Sequence, residues 1–171
     1  MAPPDAGSAS AVACPVPPEQ RPLQEYEQLR ASWFFCWPAE EGGRFARALI
    51  TGWLLVLPAC LLVAWGSQPL RHDPPRLVLA AAAVATLLPL MLLLRQWLGW
   101  SYVHRRLLAE RVEYEESGWY DGQVWEKPLS WLQRDRLVAR HQVGPVLRRL
   151  RRGFVVAGAL ALAGTGLCQA L

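Results

Sequence analysis

Charge is missing from this sequence where its absence matters most. Residues 48–65 and 77–94 each run eighteen positions without an Asp, Glu, Lys or Arg. Over the whole chain only 19% of the 171 residues are charged, against about a quarter in an ordinary soluble domain. Catalytic signatures are missing too. There is no G-x-x-x-x-G-K-[ST] phosphate loop, no G-x-S-x-G elbow, no H-E-x-x-H helix and no dinucleotide fingerprint. No Glu-x-x-His element occurs, so a buried di-iron bundle is excluded. The four cysteines, Cys14, Cys36, Cys60 and Cys168, form no C-x-x-C pair. That removes a zinc ribbon, a thioredoxin-like centre and a disulfide framework. The first twenty residues hold no Lys or Arg and no apolar stretch. They therefore read neither as a secretory signal nor as an organelle transit peptide.

What remains is the pattern of a membrane protein. Eighteen residues at 1.5 Å rise cover roughly 27 Å, close to the hydrocarbon thickness of a bilayer. Arg47 and Arg95 flank the two runs on their outer sides, and Trp65, Trp97, Trp100 and Tyr102 sit where interfaces would fall. Pro58 and Pro89 lie inside the runs and should kink them, since each removes a backbone donor. Residues 66–76 carry three prolines and read as a tight outside loop. A third charge-free stretch, 153–171, follows Arg148, Arg149, Arg151 and Arg152. Its alanines at four-residue spacing, Ala157 with Ala161 and Ala159 with Ala163, suit close helix contact. It reads as a third span, with a helix packed on the polar domain as the alternative.

The basic residues orient the spans. Of eighteen Lys and Arg, four precede the first run, two lie in 66–76 and twelve lie in 95–152. The positive-inside rule then places the N-terminus and 95–152 in the cytosol or stroma. Because the arginines crowd next to apolar segments, the net charge of +4 is not read as nucleic-acid binding.

The expected fold is mainly α and integral to the membrane. It comprises a transmembrane helical hairpin, a third C-terminal span and a small α+β insertion. Residues 1–18 read as a loose tail. Within 19–47, Leu23, Tyr26, Leu29, Trp33 and Trp37 recur at helical spacing. This is either an interfacial helix lying on the bilayer or a docking surface for another membrane protein, with Trp33 and Phe34 in its aromatic cluster. Residues 111–127 alternate as a β-hairpin, with Asp121-Gly122 as its tight turn. Ser130 and Gln133 have capping-box spacing for the next helix, and Gly144-Pro145 should interrupt it.

Chemistry, if any, points to the acidic cluster Glu110, Glu113, Glu115, Glu116, Asp121 and Glu126, with His104 and His141 nearby in sequence. Carboxylates and imidazoles suit a hard cation such as iron or manganese. Glu113, Glu115, Glu116 and Asp121 are the candidate metal ligands. A solvated hairpin whose acids balance nearby arginines is the simpler alternative. Trp119, Tyr120, Asp121, Gly122 and Trp125 could anchor a partner, or could form the hairpin's own small core.

Two segments carry a family resemblance. One is Cys14 to Tyr26 (CPVPPEQRPLQEY) with Ser32-Trp-Phe-Phe. The other is Val112 to Pro128 (VEYEESGWYDGQVWEKP), followed by Arg134-Asp-Arg-Leu-Val and Gln142-Val-Gly-Pro. Together they resemble the hypothetical chloroplast open reading frame thirty-six family. Its plant members are called conserved in the green lineage and diatoms, number twenty-seven. The resemblance covers about residues 14–154. It implies a membrane protein of an oxygenic phototroph, and the lack of a transit peptide fits a cyanobacterial thylakoid or plasma membrane. It also implies an association with iron deficiency and photosynthetic acclimation. It transfers no catalytic or ligand residue. The resulting expectation is a non-enzymatic accessory protein with a membrane-protein partner and no resident cofactor; an iron-handling or transport component using residues 110–126 is the alternative.

Overall fold

A computed structural model of the chain describes residues 15–40, 43–114 and 122–170. It is mainly helical. Helix α1 (Pro22–Ala31) leads through a turn-rich aromatic segment to α2 (Arg44–Trp65). Gly43 starts α2 from a left-handed backbone (φ 82°), a conformation that disfavours any side chain. A one-turn helix α3 (Gln68–Arg71) lies in the 66–76 loop, and Asp73 caps α4 (Pro74–Ala85) by accepting from the Arg76 N–H. Helix α5 (Leu87–Leu108) follows at once. Strands β1 (Arg111–Tyr114) and β2 (Gln123–Glu126) pair antiparallel. Helix α6 (Leu129–Val138) passes through a π-helical turn (Ala139–Val143) into α7 (Gly144–Ala170). Three continuous helical stretches, α2, α4–α5 and α6–α7, are long and apolar enough to cross a membrane.

Two of these stretches change their backbone hydrogen-bond register close to a proline. Pro89 has no N–H to give to Ala85, and the helix breaks at Thr86, whose own N–H turns back to Ala83. The carbonyl of Ala82 is released by that shift. It is taken up by the Thr86 hydroxyl (2.9 Å) and the Trp53 indole N–H (3.2 Å), as apolar surroundings require. By contrast α2 runs unbroken through Pro58. The interruption expected at Gly144-Pro145 does not occur. The register slips by one residue across the π-turn just before Pro145, and the helix continues.

Other expectations change as well. Ser130 does not cap α6, which begins one residue earlier behind Pro128 with no side-chain cap. The hairpin is present, and Tyr114 pairs with Gln123. Asp121, of the expected Asp121-Gly122 turn, lies outside the described residues. Residues 1–14 of the expected loose tail lie outside the described residues. Val16, within the expected tail, is buried against Val112 and Tyr114, so the chain is packed at that point before α1 begins. Helix α1 packs its apolar face on the chain itself. Tyr26 is buried in the core and Leu23 and Leu29 pack against it.

That core lies toward the polar ends of α5 and α7. Leu93, Trp100, Val103, Leu107, Ala139, Val143 and Leu150 are all sealed from solvent. Alongside, α4 and α7 approach through small residues, with Gly164 against Ala83. At the far end the Arg76 guanidinium donates to the Cys168 carbonyl (3.0 Å), so the end of α7 reaches the start of α4. A cation on the last carbonyls of a helix is electrostatically favoured.

Candidate functional site

Five polar donor side chains tie α1, the aromatic segment, the hairpin and α6 to the ends of α5 and α7. Lys127 is the centre. Its ammonium is fully buried and pairs with Asp135 at 2.7 Å. It also donates to the carbonyls of Arg106 (3.0 Å) and Leu107 (3.3 Å), two of the unpaired acceptors at the C-terminus of α5. A lysine has three diverging N–H bonds, and here all three are met; the flat fork of an arginine could not match them. Arg106 is the second tie. It donates to the carbonyls of Gln20 (3.0 Å) and Glu113 (3.4 Å) and pairs with Glu25 at 3.1 Å. Gln96 donates to the Phe34 carbonyl, and Arg149 to those of Pro38 (2.6 Å) and Glu40 (2.9 Å). The segment between α1 and α2 is thereby fixed on the bundle. Tyr26 closes the set by donating to Gln142 in the π-turn.

Electrostatics separates the two ion pairs. Lys127–Asp135 is satisfied from every side. Glu25 is held above the ordinary carboxylate range, chiefly because burial penalises its charge; Arg106 and Lys127 pull the other way. The Arg106 contact is close but makes no aligned hydrogen bond to the buried oxygen Oε2. Desolvation therefore wins over a Coulomb attraction that is only partly realised.

The residues expected to carry function are placed unevenly. Glu115, Glu116, Trp119, Tyr120 and Asp121 lie outside the described residues. Glu113 is exposed on β1, while Glu110 pairs with Arg136 (3.1 Å) and Glu126 with Arg111 (2.9 Å). Among the described residues no three His, Cys, Asp or Glu side chains come together as a metal site. His104 is half-buried on α5 and His141 is exposed in the π-turn. Gly122 is exposed. Trp125 is half-buried, packing edge-on against Trp131 (5.5 Å) and onto the Val16–Val112–Tyr114 cluster. Trp33 is 85% exposed and Phe34 packs edge-on beside it at 5.7 Å.

Sequence reasoning missed Lys127, Asp135, Arg106, Gln96 and Arg149. One signal was available: Lys127 is the only lysine among eighteen basic residues. In a chain that otherwise uses arginine throughout, a single ammonium marks a place where a compact donor is needed.

The chain belongs to the CGLD27-like family, described as conserved in the green lineage and diatoms 27, which it matches over residues 14–156. It is 39% identical over 142 residues to the Porphyra purpurea protein called uncharacterized protein ycf36, covering 81% of this chain and 84% of that one. The ycf36 protein of Cyanophora paradoxa is 38% identical over 139 residues, covering 81% of this chain and 87% of the relative. A third relative is the chloroplastic Arabidopsis thaliana protein named conserved in the green lineage and diatoms 27. It is 40% identical over 146 residues, which is 85% of this chain but 45% of the plant protein. No solved structure matches the chain.

Proposed function

We propose that this member of the CGLD27-like family is a non-enzymatic accessory protein of a membrane in an oxygenic phototroph. It helps assemble or maintain a photosynthetic complex or its iron supply. Its three apolar helices lie in the bilayer, thylakoid or plasma membrane. The end bearing α1, the hairpin and α6 faces the cytosol or stroma, where twelve of the eighteen basic residues between 95 and 152 would be retained. Plastid relatives and the span-length helices support this placement.

One observation carries the reading of a docking protein. Trp33 is 85% exposed, yet the backbone that follows it is tied down. Gln96 holds the Phe34 carbonyl and Arg149 holds the Pro38 carbonyl. A large aromatic held rigidly in the open costs little entropy to bury against a partner, and this is how interface anchors are built.

The test is affinity purification of a tagged copy from gently solubilised membranes, with metal analysis of the same sample. The proposal expects photosynthetic subunits to co-purify with the wild type and to be lost with Trp33→Ala, while the protein still folds. Stoichiometric iron without such subunits would overturn it and favour direct iron handling.

A further inference from the structure

Helices α2 and α7 both pack on the α4–α5 stretch, and a groove of about 870 Å³ opens between them. That volume is within the range of sites that bury a whole small molecule, roughly 300–1,000 Å³. Its walls are almost entirely hydrocarbon. Small side chains line it, notably Ala46 on α2, Ala82 on α4 and Ala163 on α7. The hydroxyl of Thr86 and the indole N–H of Trp53 face this region but are both committed to the Ala82 carbonyl. The wall therefore offers no free polar group along its length.

Only the end carries charge, and the charge is of one sign. Arg149 and Arg152 line the groove at the polar end of α7, and no acidic residue lines it among the described residues. Arg149 is engaged with the Pro38 and Glu40 carbonyls. Arg152 is exposed and has no hydrogen bond or ion pair to any described residue. From Arg152 to Leu167, the last lining residue of α7, the groove extends fifteen residues, or roughly 22 Å of helix. A long apolar trough with a free guanidinium at its water-side mouth has the shape of an amphiphile in relief.

We infer that this groove holds one membrane lipid with an anionic headgroup, its acyl chain along α7 and its headgroup on Arg152. Charge complementarity selects the headgroup. A guanidinium meets a phosphate or sulfonate oxygen with two parallel N–H bonds, and such bonds are strong where water is partly excluded. The inference rests on the reading that the three helices lie in a bilayer.

The experiment uses the full chain purified in mild detergent and examined by native mass spectrometry. Phosphatidylglycerol and phosphatidylcholine with identical chains are the two probes. The expected result is one phosphatidylglycerol retained per protein and preferred several-fold over phosphatidylcholine, which has the same phosphate but adds a choline cation that repels the guanidinium. Arg152→Gln should remove the preference with the melting temperature unchanged. Ala163→Trp, which fills the groove, should abolish retention of both lipids. Equal retention of the two lipids by the wild type would overturn the inference. So would unchanged retention in Ala163→Trp, or conversion of a dimer to a monomer by that substitution, since a second copy would then occupy the groove. Alkaline extraction of the same membranes separates the underlying reading: protein released by alkali overturns both, whereas protein that stays embedded but shows no lipid preference overturns the lipid site alone.

Discussion

The apolar helices and the polar end of this molecule are stabilised in opposite ways. In the most apolar eighteen residues of α2 only 6% are buried within the chain and in α6–α7 only 11%, against 33% in α4–α5, on which both pack. Leucines such as Leu55 and Leu62 are left largely bare. The polar end has most of the polar groups, and yet it contains most of the residues with no exposure at all, including Trp100, Leu107 and the Lys127 ammonium. The two halves make sense together if their surroundings differ. In hydrocarbon, an exposed leucine has nothing to gain from burial against another leucine, so helices need only touch at small residues. In water, a few short elements must build a closed core and pair most of its buried polar groups. The comparison teaches that function should be sought at the polar end, where the chain has built rigid structure.

The largest expected effect falls on the ion pair at the centre of that end. Lys127→Met leaves Asp135 buried and uncompensated, which costs about 3–5 kcal/mol. Chemical unfolding in detergent should show this, and Lys127→Arg should also destabilise because the planar group does not fit. A double change of Lys127 and Asp135 to apolar residues should recover most of the loss. If Lys127→Met behaves like the wild type, the polar end is not held together as described.

Next comes a direct contrast between the halves. Leu107→Ala, in the sealed core, should cost about 2–5 kcal/mol. Leu62→Ala, which is 76% exposed on α2, should change stability by less than about 0.5 kcal/mol. Equal effects would erase the distinction between the regions.

The smallest effect concerns Glu25. Its carboxyl is raised above the ordinary range, so the folded state binds its proton more tightly than the unfolded state does. By linkage, its contribution becomes more favourable as pH falls from neutral toward the ordinary carboxylate range. Melting of the wild type and of Glu25→Gln across that range should therefore show the wild type gaining relative to the variant on acidification. A relative loss would mean that the Arg106 attraction outweighs burial.

Much of this architecture was legible in the sequence, for physical reasons that differ by region. The apolar runs announce themselves because eighteen uncharged residues have few soluble uses. The strands of the hairpin show in the alternation of Arg111 to Tyr114, which leaves Val112 and Tyr114 buried. Turn and helix-end signals were less informative. Gly144-Pro145 looks like a stop, but a π-turn absorbs the missing donor upstream, and the helix continues, packed on α5. Tyr26 and its apolar neighbours reveal a face but not what covers it; the bilayer and α5 are equally good partners on paper. The buried polar ties were least visible. Arg106 and Asp135 look like any surface charges until the fold brings Lys127, Glu25 and the end of α5 around them.

The central claim is that the three apolar helices cross a membrane with the rigid polar end on the basic-rich side. Single cysteines at Ser67 and Gln133, in a chain whose native cysteines are replaced, test it directly in sealed vesicles of known sidedness. An impermeant thiol reagent applied from the lumenal or periplasmic face should label Ser67→Cys and leave Gln133→Cys untouched. Labelling of both from that face, or of Gln133→Cys alone, would contradict the account.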